Sequence, residues 1–566
     1  MTTPRPTTRS AIRPLAPRRL LWLLLAVIAA GCGSAGATAR LTAARPIPLL
    51  RVGTIGSIQS LDPWVTQDTL SFDIFTDIYP KLVQYDLATV KLEPDFASHW
   101  RLSQAGRILT LTTRPHARWS DGQPLTARDA AWTIGTMVKD QNGAAAAWSS
   151  AIAGIATVRA PSANTLVITY RQPVADALSS LEQIPILPEH VWSRYPAKRL
   201  IRVANAPTAG HPIVSGGPFT FVKYVSGQVA LFARNRDYFG APAHIPGFGI
   251  EFFSNDDAMV AALEAGEIDA ATGNPNLPPT DVRPLRRHGF RIAIRPAVAF
   301  NDLIINTNPR LTNHRELLNP MVRKAFEYAT DRTTMDRIAF LGYAVPGASI
   351  VPPATGMWSN PAIRPLPYDL GAANRLLDRA GYRRGAGGIR VADGHPMAYT
   401  LLLSPDNGGE GLRSAEIMAT DFAKIGVQIK VQTVDDSTLN NDIYADHYRK
   451  FDLAMWGWDA YIDPSYILSV VTCGQYYNNS DSGYCNHAYD HLFARQSVAV
   501  SQAERIRLVY AMQRVVYNAR PYIVLQYLDV IEGWSRRWRA PQESPGGFLN
   551  SLSSSPLTTI RPAAGF

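Results

Sequence analysis

The chain has 566 residues, of which 46% are hydrophobic, and its formal net charge is +10 at neutral pH. This length is enough for several domains with large buried cores. Five of the positive charges are arginines in residues 1–31, a segment without acidic residues, so the remainder carries about +5. A charge this small, without a run of Lys and Arg, argues against a nucleic-acid-binding protein.

The N-terminal segment is typical of an export signal. A basic region ends at Arg18 and Arg19, and an apolar run of eleven residues follows from Leu20 to Ala30. This run is too short to span a bilayer as a helix but matches the apolar part of a signal peptide. We therefore predict a signal peptide over residues 1–31.

The apolar run ends at a cysteine that is preceded by small residues, "AAGC", and followed by a small, polar stretch. The pattern resembles the bacterial lipobox, whose cysteine is lipidated, although Ala29 stands where Leu is usual. Ordinary signal cleavage near this point is the alternative. We predict that Cys32 is lipidated and that residues 32–48 form a flexible tether. The rest of the protein would then lie outside the cytoplasmic membrane, at the cell surface or on its periplasmic side.

The two other cysteines, Cys473 and Cys485, lie twelve positions apart. An even pair in an oxidising compartment favours one disulfide rather than a catalytic thiol.

The segment "RWSDGQPLTARDAAW" (118–132) contains both turn and helix-start signals. Ser120, Asp121 and Gly122 are turn residues, and Thr126 with Asp129 has the spacing of a capping box at the start of a helix. Each position has a structural explanation, so we interpret the segment as scaffold rather than active site.

Later segments alternate between strand and helix patterns. Residues 107–113 alternate like a half-buried strand, and residues 215–239 read as a hairpin. A helix is predicted after Asn319 and another after Asp369. The strand–helix–strand order "YTLLLSP", a helix from about Arg413 to Ile425, and "VQIKVQTV" is typical of an α/β fold.

Several of these segments occur in the order found in one protein family. They are "SLDP" (60–63), "RWSDGQPLTARDAAW" (118–132), "IPILPEHVW" (184–192), "SGGPF" (215–219), "ARNRDYF" (233–239), "LEAGEIDAA" (263–271), "NPMVRKAFEYATDR" (319–332), "YDLGAANRLLDRAGY" (368–382) and "DLAMWGWDAYIDP" (452–464). The sequence resembles the extracytoplasmic solute-binding proteins of ABC importers, family 5, the group that includes dipeptide- and oligopeptide-binding proteins.

The resemblance implies an α/β, two-lobed, periplasmic-binding-protein-like (class II) fold, which closes over a ligand by a hinge motion. It places a discontinuous lobe I at 49–82, 208–298 and 526–566 and lobe II at 299–525. An extra subdomain inserted into lobe I would span 83–207.

The resemblance also implies a ligand site around "GWDAYIDP". In peptide-binding relatives an Asp after the "GW" pairs with the ligand's ammonium group, but this chain has four residues between Trp458 and Asp463 where those relatives usually have five. Asp459 is the candidate for this role, with Ala460 as the alternative, and Asp463 fits a turn. The predicted contacts in this segment are Trp456, Gly457, Trp458, Asp459 and Tyr461.

Further contacts are expected where other strands reach the cleft, at Ser57, Gln59 and Asn301. In this family an extended ligand often lies alongside backbone, so side-chain identity matters less there. For the tryptophans, core packing is the alternative to a place in the cleft wall.

We predict no metal site, no cofactor and no enzymatic activity. His487, Asp490 and His491 have a spacing compatible with one helical turn, but Asp490 is better explained as a helix cap. The sequence contains no G-x-S-x-G, no H-E-x-x-H and no phosphate-binding Gly loop.

The function that the resemblance implies is a monomeric lipoprotein that captures a solute, most often a peptide, and hands it to an ABC permease in the membrane. Two alternatives remain. The same fold can serve a signalling or interaction lipoprotein, or it can receive a non-peptide solute such as a nickel complex, haem or a sugar.

Overall fold

The computed structural model of the protein describes residues 49–56, 58, 60–64, 69–86, 89–141, 148–195, 213–271, 277–404, 407–444, 451–476, 480–539, 547–549 and 554–564. The predicted signal peptide, Cys32, the tether, Ser57 and Gln59 lie outside these residues. Within the described ranges, no helix is both long enough and apolar enough to cross a membrane.

The N-terminal part of the described chain contains a small antiparallel sheet with flanking helices. Its elements are β1 (Leu50–Thr54), α1 (Thr69–Ile78), β2 (Val83–Tyr85), β3 (Leu92–Pro94), β4 (Ala97–Ser103), β5 (Ile108–Thr113), α2 (Ala127–Lys139), β6 (Ile155–Ser162), β7 (Thr165–Tyr170), α3 (Ala177–Glu182) and α4 (Glu189–Trp192). Strands β4, β5, β7 and β6 form the small sheet in that order, and β2 pairs with β3.

The strands of the middle part join the same sheet as β1, and this part ends with one long strand. Its elements are β8 (Phe219–Val225), β9 (Val229–Arg234), β10 (Gly247–Phe252), α5 (Asp256–Glu264), β11 (Ala270–Ala271), α6 (Val282–Arg287) and β12 (Arg291–Ile305).

The C-terminal part begins after β12 and comes back through a second long strand. Its elements are α7 (Pro320–Tyr328), α8 (Arg332–Ile338), β13 (Ala344–Pro346), α9 (Leu370–Arg379), β14 (Val391–Ala392), β15 (His395–Pro396), β16 (Ala398–Leu403), α10 (Gly408–Lys424), β17 (Gln428–Thr433), α11 (Asp436–Tyr444), β18 (Leu453–Asp459), α12 (Ser465–Val470), α13 (His487–Val498), α14 (Gln502–Ala519), β19 (Tyr522–Trp534), β20 (Trp538–Arg539) and β21 (Arg561–Pro562).

One large sheet runs through both parts in the order β17-β16-β18-β12-β19-β11-β1-β10-β9-β8, and β13 also pairs with β19. The two central strands belong to both sides. Residues 300–304 of β12 pair with 522–527 of β19 next to β18, and residues 291–296 pair with 529–534 next to β11. Strands β12 and β19 are therefore the crossing strands of the fold.

The pairing of the crossing strands is irregular midway. Pro296 pairs with Asp529 and Phe300 pairs with Tyr527. Between these two pairs, β12 has three residues where β19 has only one. An extra-residue bulge of this kind bends and twists a strand locally. This is the point of the sheet at which the two sides meet.

The buried apolar residues separate into cores on either side of this point. One core combines residues between 50 and 270 with residues 534–560, and it includes the small four-stranded sheet. Two others lie on the two faces of the C-terminal part and draw only on residues between 300 and 527. The apolar groups thus form separate bodies that share the crossing strands.

The capping box predicted near residue 126 is confirmed. The Thr126 hydroxyl accepts a hydrogen bond from Arg128 N, and the Asp129 carboxylate accepts one from Thr126 N at 2.8 Å, at the start of α2. Trp119 in the preceding turn is completely buried. The segment is scaffold, as its sequence indicated.

Two local predictions were wrong. The helix α10 begins at Gly408 rather than near Arg413, since several glycines at its start hide the helical pattern. The helix α13 is capped by Asn486, whose side chain accepts from Ala488 N and Tyr489 N, whereas Asp490 lies inside the first turn.

The contact between Trp119 and Gly216 yields a prediction about the core. A Cβ at residue 216 would lie 2.8 and 2.9 Å from ring carbons of Trp119 and 3.0 Å from Pro80. Gly216→Ala should lower the free energy of unfolding by about 1–3 kcal/mol, because overpacking costs roughly that much. Urea denaturation measures the effect.

The matched control is Gly135→Ala in α2, where a new Cβ meets no atom within 4 Å. It should leave stability unchanged or raise it by up to about 1 kcal/mol, since alanine favours a helix interior over glycine. Equal unfolding free energies for wild type and Gly216→Ala would contradict the packing argument.

Candidate functional site

The carboxyl ends of two strands point toward the middle of the crossing strands from opposite sides. Strand β1 is parallel to β11, which is antiparallel to β19, and β18 is antiparallel to β12. Consequently β1 runs toward the C-terminal part and β18 runs back toward the N-terminal part. In open α/β sheets, ligands bind outside the carboxyl ends of strands. The predicted contacts Gly457, Trp458 and Asp459 lie at the end of β18.

The predicted residues on β18 divide between the two faces of that strand. Side chains alternate along a strand, so Trp456 and Trp458 share one face while Gly457 and Asp459 share the other. Asn301 on β12 pairs with Gly457 on β18, so its side chain lies on the same face of the sheet as Asp459. The structure thus brings Asn301 and Asp459 together and sets the two tryptophans on the opposite face.

Gly457 is required by the neighbouring strand. A Cβ at this position would lie 2.6 Å from the Asn301 Oδ1 atom and 3.2 Å from the Phe300 carbonyl oxygen. The absence of a side chain leaves room for the Asn301 amide, which is half-buried and has no hydrogen bond to any residue that the structure describes.

A buried carboxylate holds the two tryptophans in place. The Nε1 atoms of Trp456 and Trp458 each donate to the Asp481 Oδ2 atom at 3.1 Å, and the Tyr522 hydroxyl donates to Oδ1. Burial raises the pKa of Asp481 to about 6, and these hydrogen bonds act in the opposite direction. Both indole rings remain half-buried, so they have a packing role as well as an exposed surface.

A second carboxyl group, Asp302, lies in the same buried region. Asp302 pairs with Trp456 across the sheet, is completely buried, and neither of its oxygens has a hydrogen-bond partner among the described residues. Burial, followed by the nearby charge of Asp481, raises the pKa of Asp302 well above its usual range. Asp302 therefore holds its proton more strongly than an exposed carboxyl group does.

The loop that carries Asp481 is closed by a disulfide. The structure joins Cys473 and Cys485, whose Cα atoms are 4.6 Å apart. Asp490 accepts a hydrogen bond from Cys473 N at 2.9 Å, which fastens the loop to α13. A loop of this length loses about 3 kcal/mol of unfolded-state entropy when it is crosslinked. The bridge thus keeps Asp481 under the tryptophans.

Asp459 differs from these buried carboxyls. Solvent reaches its side chain, yet the surrounding protein is dense enough that loss of hydration raises the pKa of Asp459 above its usual value. No hydrogen bond or ion pair joins it to any described residue. It is an accessible, unpaired carboxyl group at the end of β18.

Aromatic rings form a row that begins near Asp459, at Tyr461 and Tyr466, and continues to the tryptophans on the opposite face of β18. Tyr461 and Tyr466 have ring centroids 5.2 Å apart, and burial followed by the charge of Asp459 raises the pKa of Tyr466. Tyr461 has a left-handed backbone with φ of 51°, which is rare for a residue with a bulky side chain. The row continues through contacts at centroid distances of 6.0–6.3 Å to Trp458, Trp456 and Tyr444.

Asp463 has a structural role. Its carboxylate forms two hydrogen bonds of 2.6 and 2.7 Å with the Arg505 guanidinium and also accepts from Ser465 N. Burial alone would raise the pKa of Asp463, but the charge of Arg505 lowers it. A buried carboxylate that is fully paired in this way is not available to a ligand.

A cavity of about 190 Å³ lies elsewhere, between α1 and the C-terminal segment. Its charged groups already have partners: the Lys81 ammonium group pairs with Glu182 at 2.8 Å, the Asp95 carboxylate accepts from Lys81 N at 2.9 Å, and the Arg114 Nε atom donates to the Asp95 backbone carbonyl. It contains none of the predicted contacts. Because its charges are satisfied internally, we place the candidate site at the strand ends and not in this cavity.

Sequence reasoning missed Asp481 and Tyr466. Asp481 stands in "SDSG", a run typical of an exposed turn, yet Ser480, Asp481 and Ser482 are all buried. Only the folding of the loop onto β18 shows its role, so no signal in the sequence could have found it. Tyr466 could have been inferred from the sequence, since it lies in α12, which begins directly after the predicted segment 452–464.

The buried carboxyl pair predicts an unusual pH dependence. A group whose pKa is raised in the folded state keeps its proton where the unfolded chain, at the ordinary value of 3.8, has lost it. Wild-type stability therefore falls as the pH rises above that value. Asp302→Asn removes this loss, so its melting temperature relative to wild type should increase from about pH 5 to about pH 8.

Thermal unfolding at both pH values measures this difference. Glu416→Gln, which changes an exposed carboxylate on α10, should follow wild type at each pH. If Asp302→Asn also follows wild type, Asp302 is not a proton-retaining group.

Comparison with known proteins identifies the family. The family model of bacterial extracellular solute-binding proteins, family 5, matches residues 91–479. A putative ABC transporter peptide-binding protein of Brucella ovis is 28% identical over 405 residues, which are 70% of this chain and 72% of that protein.

Solved structures share the fold. The oligopeptide-binding protein AppA of Bacillus subtilis, in complex with a nonapeptide, has a TM-score of 0.75 at 20% identity and covers 91% of this chain and 99% of its own. NikZ of Campylobacter jejuni, in complex with Ni(L-His), has a TM-score of 0.73 at 20% identity, with 88% and 97% covered. The predicted two-lobed α/β class is confirmed. The chain belongs to the bacterial extracellular solute-binding proteins, family 5.

Proposed function

We propose that the protein is the substrate-binding component of an ABC importer, which captures a short peptide between its lobes and delivers it to a membrane permease. The Brucella ovis relative is named as a peptide-binding protein, and the Bacillus subtilis structure is that of an oligopeptide-binding protein. These names support the ligand class, and the arrangement around Asp459 supports the way in which the ligand is held.

The observation that carries the proposal is the unpaired carboxyl group of Asp459. A carboxylate that is partly desolvated and has no cationic partner among the described residues is costly. The ammonium group of a peptide's N-terminus would supply the missing charge and donate up to three hydrogen bonds. Ligand binding would then return the pKa of Asp459 toward its usual range.

The surroundings of Asp459 suit a peptide chain. The half-buried rings of Tyr461 and Tyr466 offer flat apolar surfaces to side chains. Asn301 has a free amide beside Gly457, and an amide can both donate to and accept from a peptide backbone. The strained backbone of Tyr461 fits a functional position, since such strain concentrates at ligand sites.

Closure over the ligand requires bending of the crossing strands. The bulge between Pro296 and Phe300 lies in the same part of β12 as Ala299, the residue paired with Asp459. A ligand that contacts both lobes would favour the closed form through its differential affinity. On this proposal the site and the hinge are adjacent, and Ser57 and Gln59 after β1 remain candidate contacts on the opposite side.

Asp459→Asn tests the proposal. With a free-amine tripeptide such as Ala-Phe-Ala, the variant should bind at least about tenfold more weakly, since a charge-assisted hydrogen bond contributes about 1.5–3 kcal/mol. With the N-acetylated tripeptide, wild type and variant should bind equally. Isothermal titration calorimetry measures both, and Glu416→Gln is the matched control in the same lobe.

A different pattern would redirect the assignment. Before the titrations, native mass spectrometry should find short peptides of mixed mass bound to the gently purified protein. A single non-peptide species would favour a specialised solute, and a protein that stays empty and binds neither tripeptide would favour a signalling lipoprotein. If Asp459→Asn weakened the binding of both tripeptides equally, this would argue against recognition of the peptide's amino terminus.

Attachment through Cys32 is part of the proposal. Two acyl chains on one cysteine anchor a protein stably, whereas a single chain binds only marginally. Cys32→Ser should therefore move the exported protein from the membrane fraction to the soluble fraction. Immunoblots of the two fractions measure this, and Cys473→Ser is the control that should remain at the membrane.

An exported Cys32→Ser protein that stays in the membrane fraction, together with a wild-type N-terminus lacking lipid mass, would contradict the anchor. It would leave the peptide site untouched, because the two tests report on separate parts of the chain.

A further inference from the structure

Two histidines and a glutamate meet at the far end of the C-terminal part. His314 and Glu316 stand at the start of a short 3-10 helix (Arg315–Leu318), and His395 begins β15. The His314 Nδ1 atom is 3.1 Å from Glu316 Oε1, and the His395 Nε2 atom is 3.8 Å from Glu316 Oε2. One donor atom from each residue lies within 4.8 Å of the other two.

This cluster is remote from the ligand site. It lies next to Tyr399 at the beginning of β16, and Asp452 immediately before β18 is close enough for its charge to act on His314. Strands β16 and β18 are parallel, β16 ends opposite Met455 and β18 ends at Asp459, and strands of six and seven residues are about 20 Å long. The cluster and Asp459 thus stand at opposite ends of the same strands.

The hydrogen bonds of the cluster are incomplete. Glu316 is 2% exposed, and its Oε1 atom accepts from the Tyr399 hydroxyl at 2.8 Å and contacts His314. Its Oε2 atom is buried and has no hydrogen-bond partner, since His395 at 3.8 Å is too far away. A buried carboxylate oxygen without a partner is costly. A cation between Oε2 and the imidazole nitrogens would remove this cost.

The donor set suits a transition-metal ion. Two imidazole nitrogens and one carboxylate oxygen are typical ligands of Zn²⁺ in proteins. Ligand atoms about 2.1 Å from a tetrahedral ion lie about 3.4 Å from one another, and the 3.8 Å between His395 Nε2 and the unpaired Glu316 Oε2 atom is close to this value. Tyr399, which bonds the other carboxylate oxygen, would orient the ligand from the second shell.

We propose that His314, Glu316 and His395 bind a Zn²⁺ ion, with water as the fourth ligand. Both histidines are partly exposed, so solvent has access to the fourth position. The ion would connect the 3-10 helix to the β14–β15 hairpin and stabilise this end of the lobe. The proposal is independent of what the cleft binds.

A second group of possible metal ligands, Cys473, Cys485 and His487, is unsuitable because its two sulfur atoms are joined in the disulfide.

Titration of the EDTA-treated, dialysed full-length protein without a polyhistidine tag tests the site. Isothermal titration with ZnCl₂ should give one saturable equivalent, and Co²⁺ should give the visible absorption of a four-coordinate ion. Addition of Zn²⁺ should raise the melting temperature, since an ion bound only to the folded state stabilises it.

Variants separate this site from other zinc-binding groups. His395→Gln should weaken Zn²⁺ binding by more than about tenfold, because even second-shell residues are worth about 10–100-fold. His314→Asn should do the same, and Asn tolerates the left-handed backbone at this position. His288→Gln, which changes an exposed histidine paired with Glu264, should bind like wild type. Both ligand variants should keep wild-type affinity for the cleft ligand.

Two results would overturn the proposal. Wild-type protein that shows no saturable equivalent of Zn²⁺ would mean that the cluster is a hydrogen-bond network alone. Unchanged Zn²⁺ affinity in His395→Gln and in His314→Asn would place the bound ion elsewhere on the protein.

Discussion

The antiparallel pairing of β12 with β19 is the interaction on which the rest of the structure depends. These strands are the only ones in the described sheet that pair within both the N-terminal and the C-terminal part. They carry the main-chain hydrogen bonds from one core to the next, so separate apolar cores are held in one sheet. Their pairing is irregular between Pro296 and Phe300 and again between Asn301 and Asp302, and β18 delivers Asp459 to the first of these places. Rigidity on both sides and a bend between them are what a closing receptor requires.

Polar groups with different degrees of solvation surround this bend. Beneath β18, Asp302 and Asp481 are sealed among aromatic rings, and hydrogen bonds from indole and phenol groups compensate only one of the two carboxyls. Above the same strand, Asp459 is within reach of water and has no partner. Because alternate residues of a strand face opposite sides, a single seven-residue segment supports both a buried network and an accessible, unpaired carboxyl group.

Local features were predictable because their causes are local. The capping box of α2, the caps of α7 and α9 and the hairpin around Gly227 rest on interactions between residues a few positions apart. Where a local signal was ambiguous, the prediction was wrong: glycines hid the first turn of α10, and Asn486 rather than Asp490 caps α13.

The sequence by itself determined the α/β class, the order of the elements, the family and the segment in which the ligand site is expected, because these follow from hydrophobic periodicity and from motifs that are continuous in the chain. Only the tertiary structure decided which side chains share a face and which groups are left unpaired. Asn301 meets Gly457, and Glu316 meets His395, across large separations in sequence. Burial and hydrogen bonding depend on those distant contacts, so the charge state of Asp302 and the free carboxyl of Asp459 could not be read from neighbouring residues.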